Sequence, residues 1–119
     1  MARRYRRPVT GDAERGGRIG RYVRMVALPG QGPVLAGTLL RVAEGLRASP
    51  GCEMYVINLS VDEPDTVWVT EVWADEEASD RALSGELGDV GIGDVIGLLA
   101  GPPELVDLTV LGGPGLPPP

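Results

Sequence analysis

The chain has 119 residues and a net charge of −6, contains no Lys, His or Phe, and carries a single thiol, Cys52. That length fits one domain, while the residue inventory excludes an intramolecular disulfide, zinc-ligand spacing, a His-based mechanism and a Lys-dependent phosphate loop. Residues 1–24 hold eight Arg against Asp12 and Glu14, and residues 25–119 hold three Arg against fifteen acids, so the acidic body repels phosphate backbones and no nucleic-acid partner is expected.

Residues 1–18 mix Arg, Gly, Asp and Pro8 without apolar periodicity, the composition of a flexible basic arm. The paired arginines Arg3-Arg4 and Arg6-Arg7 precede no apolar stretch before Ile19, and no run reaches the roughly 18 apolar residues of a membrane span. A soluble, cytoplasmic protein with no membrane partner is therefore expected.

Ile19 to Leu28 is rich in strand formers and stops at Pro29-Gly30-Gln31-Gly32-Pro33. In Val34 to Ser49, Leu35, Leu39, Val42, Ala43 and Leu46 recur at helical spacing, with Arg41, Glu44 and Arg47 largely on the other face. Cys52 to Ser60 and Thr66 to Trp73 form a hairpin through Val61 to Asp65. Asp75 is placed to cap a second helix whose first turn carries Glu76 and Glu77. Gly85, Gly88, Gly91 and Gly93 then interrupt regular structure until a short helical turn over Asp94 to Ala100. Glu104 to Leu111 is a last strand, and the predicted boundaries are a basic arm at 1–18, a folded domain at 19–112 and a Pro/Gly tail at 113–119.

The order β-α-β-β-α-β predicts an α+β, ferredoxin-like domain with both helices on one face of a four-stranded antiparallel sheet. The bare face is expected to be covered by a second copy, giving a barrel-like homodimer.

Three segments resemble the antibiotic biosynthesis monooxygenase family: Pro29-Gly30 after the first strand, Pro50-Gly51-Cys52-Glu53-Met54-Tyr55, and the run from Val67 to Ala78 that contains Glu71-Val72-Trp73 before an acidic helix start. The resemblance spans roughly Arg21 to Gly112. It implies a dimeric α+β barrel with one pocket per subunit between sheet and helices. It also implies oxygenation of a quinol, anthrone or related phenol by O2 with neither flavin nor metal. The chain departs from the pattern between Ser79 and Asp94, where many members carry a His and this sequence has none. That departure argues against the haem-degrading relatives, which need a helix-borne His ligand.

Without His and Lys, the proton acceptors left are carboxylates, Tyr, Cys52 or water. Glu71 is the leading candidate base, since alternation puts it on one face with Val67, Val69 and Trp73. The alternative is a structural Glu paired across the sheet with an Arg such as Arg24. Trp73 resembles the family's pocket tryptophan, where an indole stacks on an aromatic ligand. Trp68, of opposite parity, is expected on the other face, so one indole is a ligand contact and the other faces the dimer interface.

Tyr55 and Asn58 on the second strand are further candidates for holding a substrate oxygen. They differ by three and face opposite sides unless a bulge intervenes. The expected site is thus Glu71 and Tyr55 as catalytic groups with Trp73, Asn58, Trp68 and Arg24 as substrate contacts, acting on a small aromatic substrate and O2 without a cofactor. Gly91-Ile92-Gly93 follows no strand of a βαβ unit and is read as loop geometry rather than a dinucleotide site. Two other functions share this site: a non-oxidative cyclase or isomerase of a polyketide, and a non-catalytic small-molecule binder.

Overall fold

The computed structural model describes residues 17–84 and 90–117. Most of the expected arm, together with Gly85 and Gly88, lies outside the described residues. The elements are β1 (Ile19–Val26), α1 (Gly32–Leu46), β2 (Cys52–Leu59), β3 (Thr66–Trp73), α2 (Glu76–Leu83), α3 (Ile92–Ile96) and β4 (Glu104–Thr109). The four strands form one open sheet in the order β2-β3-β1-β4, with every neighbouring pair antiparallel. This is the predicted α+β, ferredoxin-like arrangement. Among the described residues no helix is long and apolar enough to cross a membrane.

Side-chain alternation divides the sheet into two faces. On one, Val23, Val67, Val69 and Trp73 pack against Leu35, Leu39, Val42 and Leu46 of α1, all of them at most 4% exposed. Each such side chain contributes about 1.5–3 kcal/mol on burial, so the helix-side core dominates the stability of the domain. On the other face Tyr22, Val56, Trp68, Val106 and Leu108 are each 38–53% exposed.

Helix α1 begins two residues earlier than the expected Val34, at Gly32, with Pro33 in its first turn. Pro suits that position because its missing N–H has no helical partner there. The start is fixed from a distance: the Asp65 carboxylate, at the foot of β3, accepts the backbone N–H groups of Gly30 and Gly32, each at 2.9 Å. Asp75 caps α2 as predicted, its side chain accepting the Ala78 N–H at 2.8 Å. Gly51 takes a φ of +85°, and a Cβ there would sit 2.5 Å from the Ala78 Cβ. The turn into β2 can therefore press closely against α2 only with glycine at this point.

One irregularity matters for the site. Cys52 pairs with Trp73 and Met54 with Val72, so Glu53 is an extra residue in β2. The bulge resets alternation, and Cys52 and Tyr55 both end on the helix face.

Candidate active site

The register places four polar residues in one line across the helix face of the sheet: Tyr55 on β2 opposite Glu71 on β3, Glu71 opposite Arg21 on β1, and Arg21 opposite Asp107 on β4. The neighbouring row towards the other end is wholly apolar, comprising Ile57, Val69, Val23 and Leu105. A polar line under packed helices is costly unless its members satisfy one another.

Most of that satisfaction centres on Glu71. Its Oε1 accepts from Arg21 Nη1 at 3.0 Å and from Trp73 Nε1 at 2.9 Å. Arg21 Nη1 also donates to Ser79 Oγ on α2 at 2.8 Å, tying helix to sheet. Arg21 Nε lies 3.4 Å from Asp107 Oδ1. The Arg21 and Glu71 side chains are only 3% and 5% exposed, so this is a buried ion pair. Trp73 is fully enclosed.

Tyr55 and Cys52 stand beside this pair. Burial pushes the Tyr55 phenol well above its ordinary range, and the Glu71 carboxylate pushes it further. The Cys52 thiol is raised for the same two reasons in the same order. Both groups thus hold their protons more tightly folded than unfolded. The stabilisation this gives is complete below the unfolded pKa values and is lost as the pH rises through the folded ones. Unfolding free energy is accordingly expected to fall from about pH 9 upward, and Cys52 to react with iodoacetamide at pH 8.5 more slowly than free cysteine does. Urea titrations across that range and timed alkylation check this.

A cleft of about 450 Å³ opens beside Tyr55 and Cys52, walled by Leu46 at the end of α1 and the Arg47 that follows it, by Met54, and by Gly115 of the C-terminal segment. Its size is within the range of small-molecule sites. The wall is braced by Arg18, whose Nη2 donates to the Pro117 carbonyl at 2.7 Å and whose Nε pairs with Glu53.

Of the expected site residues, Glu71, Tyr55 and Trp73 come together. Trp68, Arg24 and Asn58 do not, because all three lie on the opposite face. Asn58 Nδ2 there donates to the Trp68 carbonyl at 3.0 Å and to Thr70 Oγ1 at 3.3 Å. Arg24 pairs with Glu104 at 3.4 Å and Glu63 at 3.8 Å. The expectation that Arg24 partners Glu71 is corrected: the partner is Arg21, which shares the parity of Val23 and so points to the buried side. That parity was the signal available in the sequence, since a partner for Glu71 has to face with Val67 and Val69. Asp107 follows from the same rule, whereas Ser79 depends on how α2 docks.

A model of the antibiotic biosynthesis monooxygenase family matches residues 19–87, more than half of the chain and the whole of the Tyr55–Glu71–Arg21 part of the row. The chain belongs to the antibiotic biosynthesis monooxygenase family. Among solved structures, a candidate antibiotic biosynthesis monooxygenase from Chloroflexus aurantiacus J-10-fl is 32% identical, with a TM-score of 0.74 over 85% of this chain and 100% of that one. A protein of unknown function from Nitrosomonas europaea, NE2512, is 26% identical at a TM-score of 0.70, over 87% of this chain and 98% of that one. A third, from Caulobacter crescentus CB15, is 20% identical with a TM-score of 0.73 over 82% and 92%, and shows the shared fold alone. No protein of curated function matches the sequence. Of the segments that carry the family resemblance, Tyr55 and Glu71 are the residues that fall in the buried row.

Proposed function

We propose that this family member is a cofactor-independent monooxygenase that oxidises a phenolic, quinol or polycyclic aromatic substrate with O2. The observation that carries the reading is the state of Glu71. Both of its hydrogen bonds converge on Oε1, and Oε2 meets no donor among the described residues. A carboxylate held rigidly by Arg21 and Trp73, with one oxygen uncommitted, is a positioned proton acceptor.

The chemistry asks little more of the protein. Glu71 Oε2 takes a proton from an acidic C–H or O–H of the substrate, and the resulting carbanion or phenolate passes one electron to O2. Radical and superoxide combine to a peroxide. The peroxide takes the proton back from Glu71, and loss of water from the hydroperoxide leaves a new carbonyl, so one oxygen atom enters the product, the other leaves as water, Glu71 is restored, and O2 is the only oxidant. Tyr55, protonated at any working pH, serves as a donor to a substrate oxygen, and the Trp73 indole fixes the base.

The exposed face bearing Tyr22, Trp68, Val56, Val106 and Leu108 supports a homodimer in which the same face of a second copy covers it. We place the folded unit at residues 19–112, with Arg18 and the segment 113–117 laid against it through the Arg18–Glu53 and Arg18–Pro117 contacts. Sedimentation of the full chain is expected to give a dimer, and Trp68→Asp to shift it towards monomer.

The Arg21–Glu71 ion pair also favours a second reading, in which the row binds an aromatic molecule or guides a non-oxidative cyclisation. Turnover of hydroquinones and anthrones with and without O2 separates these. Product formed only aerobically supports oxygenation; equal anaerobic turnover replaces it with cyclase chemistry.

A further inference from the structure

One wall of the cleft beside Tyr55 and Cys52 belongs neither to the sheet nor to a helix. Gly115 comes from the segment that follows β4. Because β4 and β2 are the two edges of the sheet, this segment crosses the sheet's whole width between Thr109 and Gly115, roughly 14 Å at the usual strand spacing. The crossing begins over Gly20. A Cβ there would sit 2.7 Å from Val110 Cγ2, so its absence lets Val110 settle against β1.

Little holds the far end of this segment down. Residues 112–115 and 117 are exposed, and Leu116 is half-buried. Among the described residues its backbone–backbone hydrogen bond is internal, from the Leu116 N–H to the Gly113 carbonyl at 3.3 Å, and no ladder joins it to β2. Its path depends on glycine: Gly112, Gly113 and Gly115 take φ values of +140°, +137° and +100°, where an L side chain is strained even though no neighbour would meet it. Arg18 ties the segment to the domain. Its Nη2 donates to the Pro117 carbonyl at 2.7 Å while its Nε pairs with Glu53, the extra residue of β2 and itself part of the cleft wall.

We infer that residues 112–117 form a releasable strap over this cleft, latched by Arg18, and that ligands enter beside Tyr55 and Cys52 when the latch lets go. A segment without ladder hydrogen bonds and with few buried contacts belongs to the low-stability end of a fold, where opening is local and leaves the core intact. Charge-assisted hydrogen bonds near the surface weaken as salt rises, so ionic strength loosens the latch. This goes beyond the oxygenation reading and does not depend on it, because the Cys52 thiol reports on the cleft without any substrate.

The test times the alkylation of Cys52, the chain's single thiol, by a neutral maleimide at about pH 7.5. It compares the full-length parent with two full-length variants. Gly112→Ala/Gly113→Ala/Gly115→Ala disturbs the path of the strap and leaves every charge in place. Arg18→Met removes the latch, and the loss of a cation would by charge alone slow the thiol rather than speed it. Both variants are expected to react about tenfold faster than the parent with the urea midpoint unchanged, which separates local opening from global unfolding. The parent gives a second reading that needs no variant: 1 M NaCl is expected to speed its alkylation at least about fivefold, and that of either variant less than about twofold. A rate within about twofold of the parent in either variant, a salt effect of equal size in parent and variants, or a rise that follows a lowered urea midpoint overturns the inference.

Discussion

Arg21→Met is expected to destabilise the protein by about 3–5 kcal/mol, because it leaves the Glu71 carboxylate buried beneath the helices with the Trp73 N–H as its one remaining partner among the described residues. Against the 5–15 kcal/mol typical of whole domains, that is a severe loss. Arg21→Met/Glu71→Leu is expected to recover most of it, since an apolar pair of similar volume removes both the charges and their desolvation cost. Urea unfolding at fixed protein concentration measures both, with unchanged m-values as the sign that only stability moved. A single variant within 1 kcal/mol of the parent would mean that the pair is hydrated in solution.

Trp73→Ala is expected to cost about 3–5 kcal/mol as well, but through a cavity. The indole is fully enclosed at the end of β3, in one row with Cys52 and Ile19. Trp73→Phe keeps most of the volume and removes the N–H to Glu71, so its cost is expected to be nearer 1–2 kcal/mol. The two variants separate packing from hydrogen bonding at one position. Trp68, of opposite parity and 39% exposed, is expected to affect self-association rather than the fold of the subunit. Thermal unfolding of the three variants at matched concentration makes the comparison.

The element order was legible because each element carries its own period: alternation in β1 and β3, and the Leu35, Leu39, Val42, Leu46 stripe in α1. What sequence could not supply was set by distant partners. Gly32 and Pro33 read as turn residues, yet they open α1 because Asp65, some thirty residues on, accepts the freed N–H groups. Simple alternation from Cys52 would send Tyr55 to the open face. The extra residue at Glu53 reverses that, and nothing in a run of strand formers announces a bulge.

The site was legible in part for the same reason. As candidates, Glu71 and Trp73 follow from the family resemblance and parity, and Tyr55 from the resemblance alone. Sequence offers an Arg such as Arg24 as the alternative partner for Glu71, whereas Arg21 is the one that shares the parity of the apolar set Ile19, Val23 and Met25. An arginine interrupting the buried side of a strand marks a buried counter-charge, and with Asp107 in register it completes a row that no single strand reveals. Ser79 joins it through helix docking, which no local pattern encodes.

Whether Glu71 is the base of an oxygenation decides the proposed function. Turnover of an anthrone under isotopically heavy dioxygen, followed by mass spectrometry of the product, asks this directly for the parent chain and for Glu71→Gln. One heavy oxygen per product molecule is expected, with a rate at least about a hundredfold lower in the variant. Product without heavy oxygen, or a Glu71→Gln rate equal to that of the parent, would contradict it.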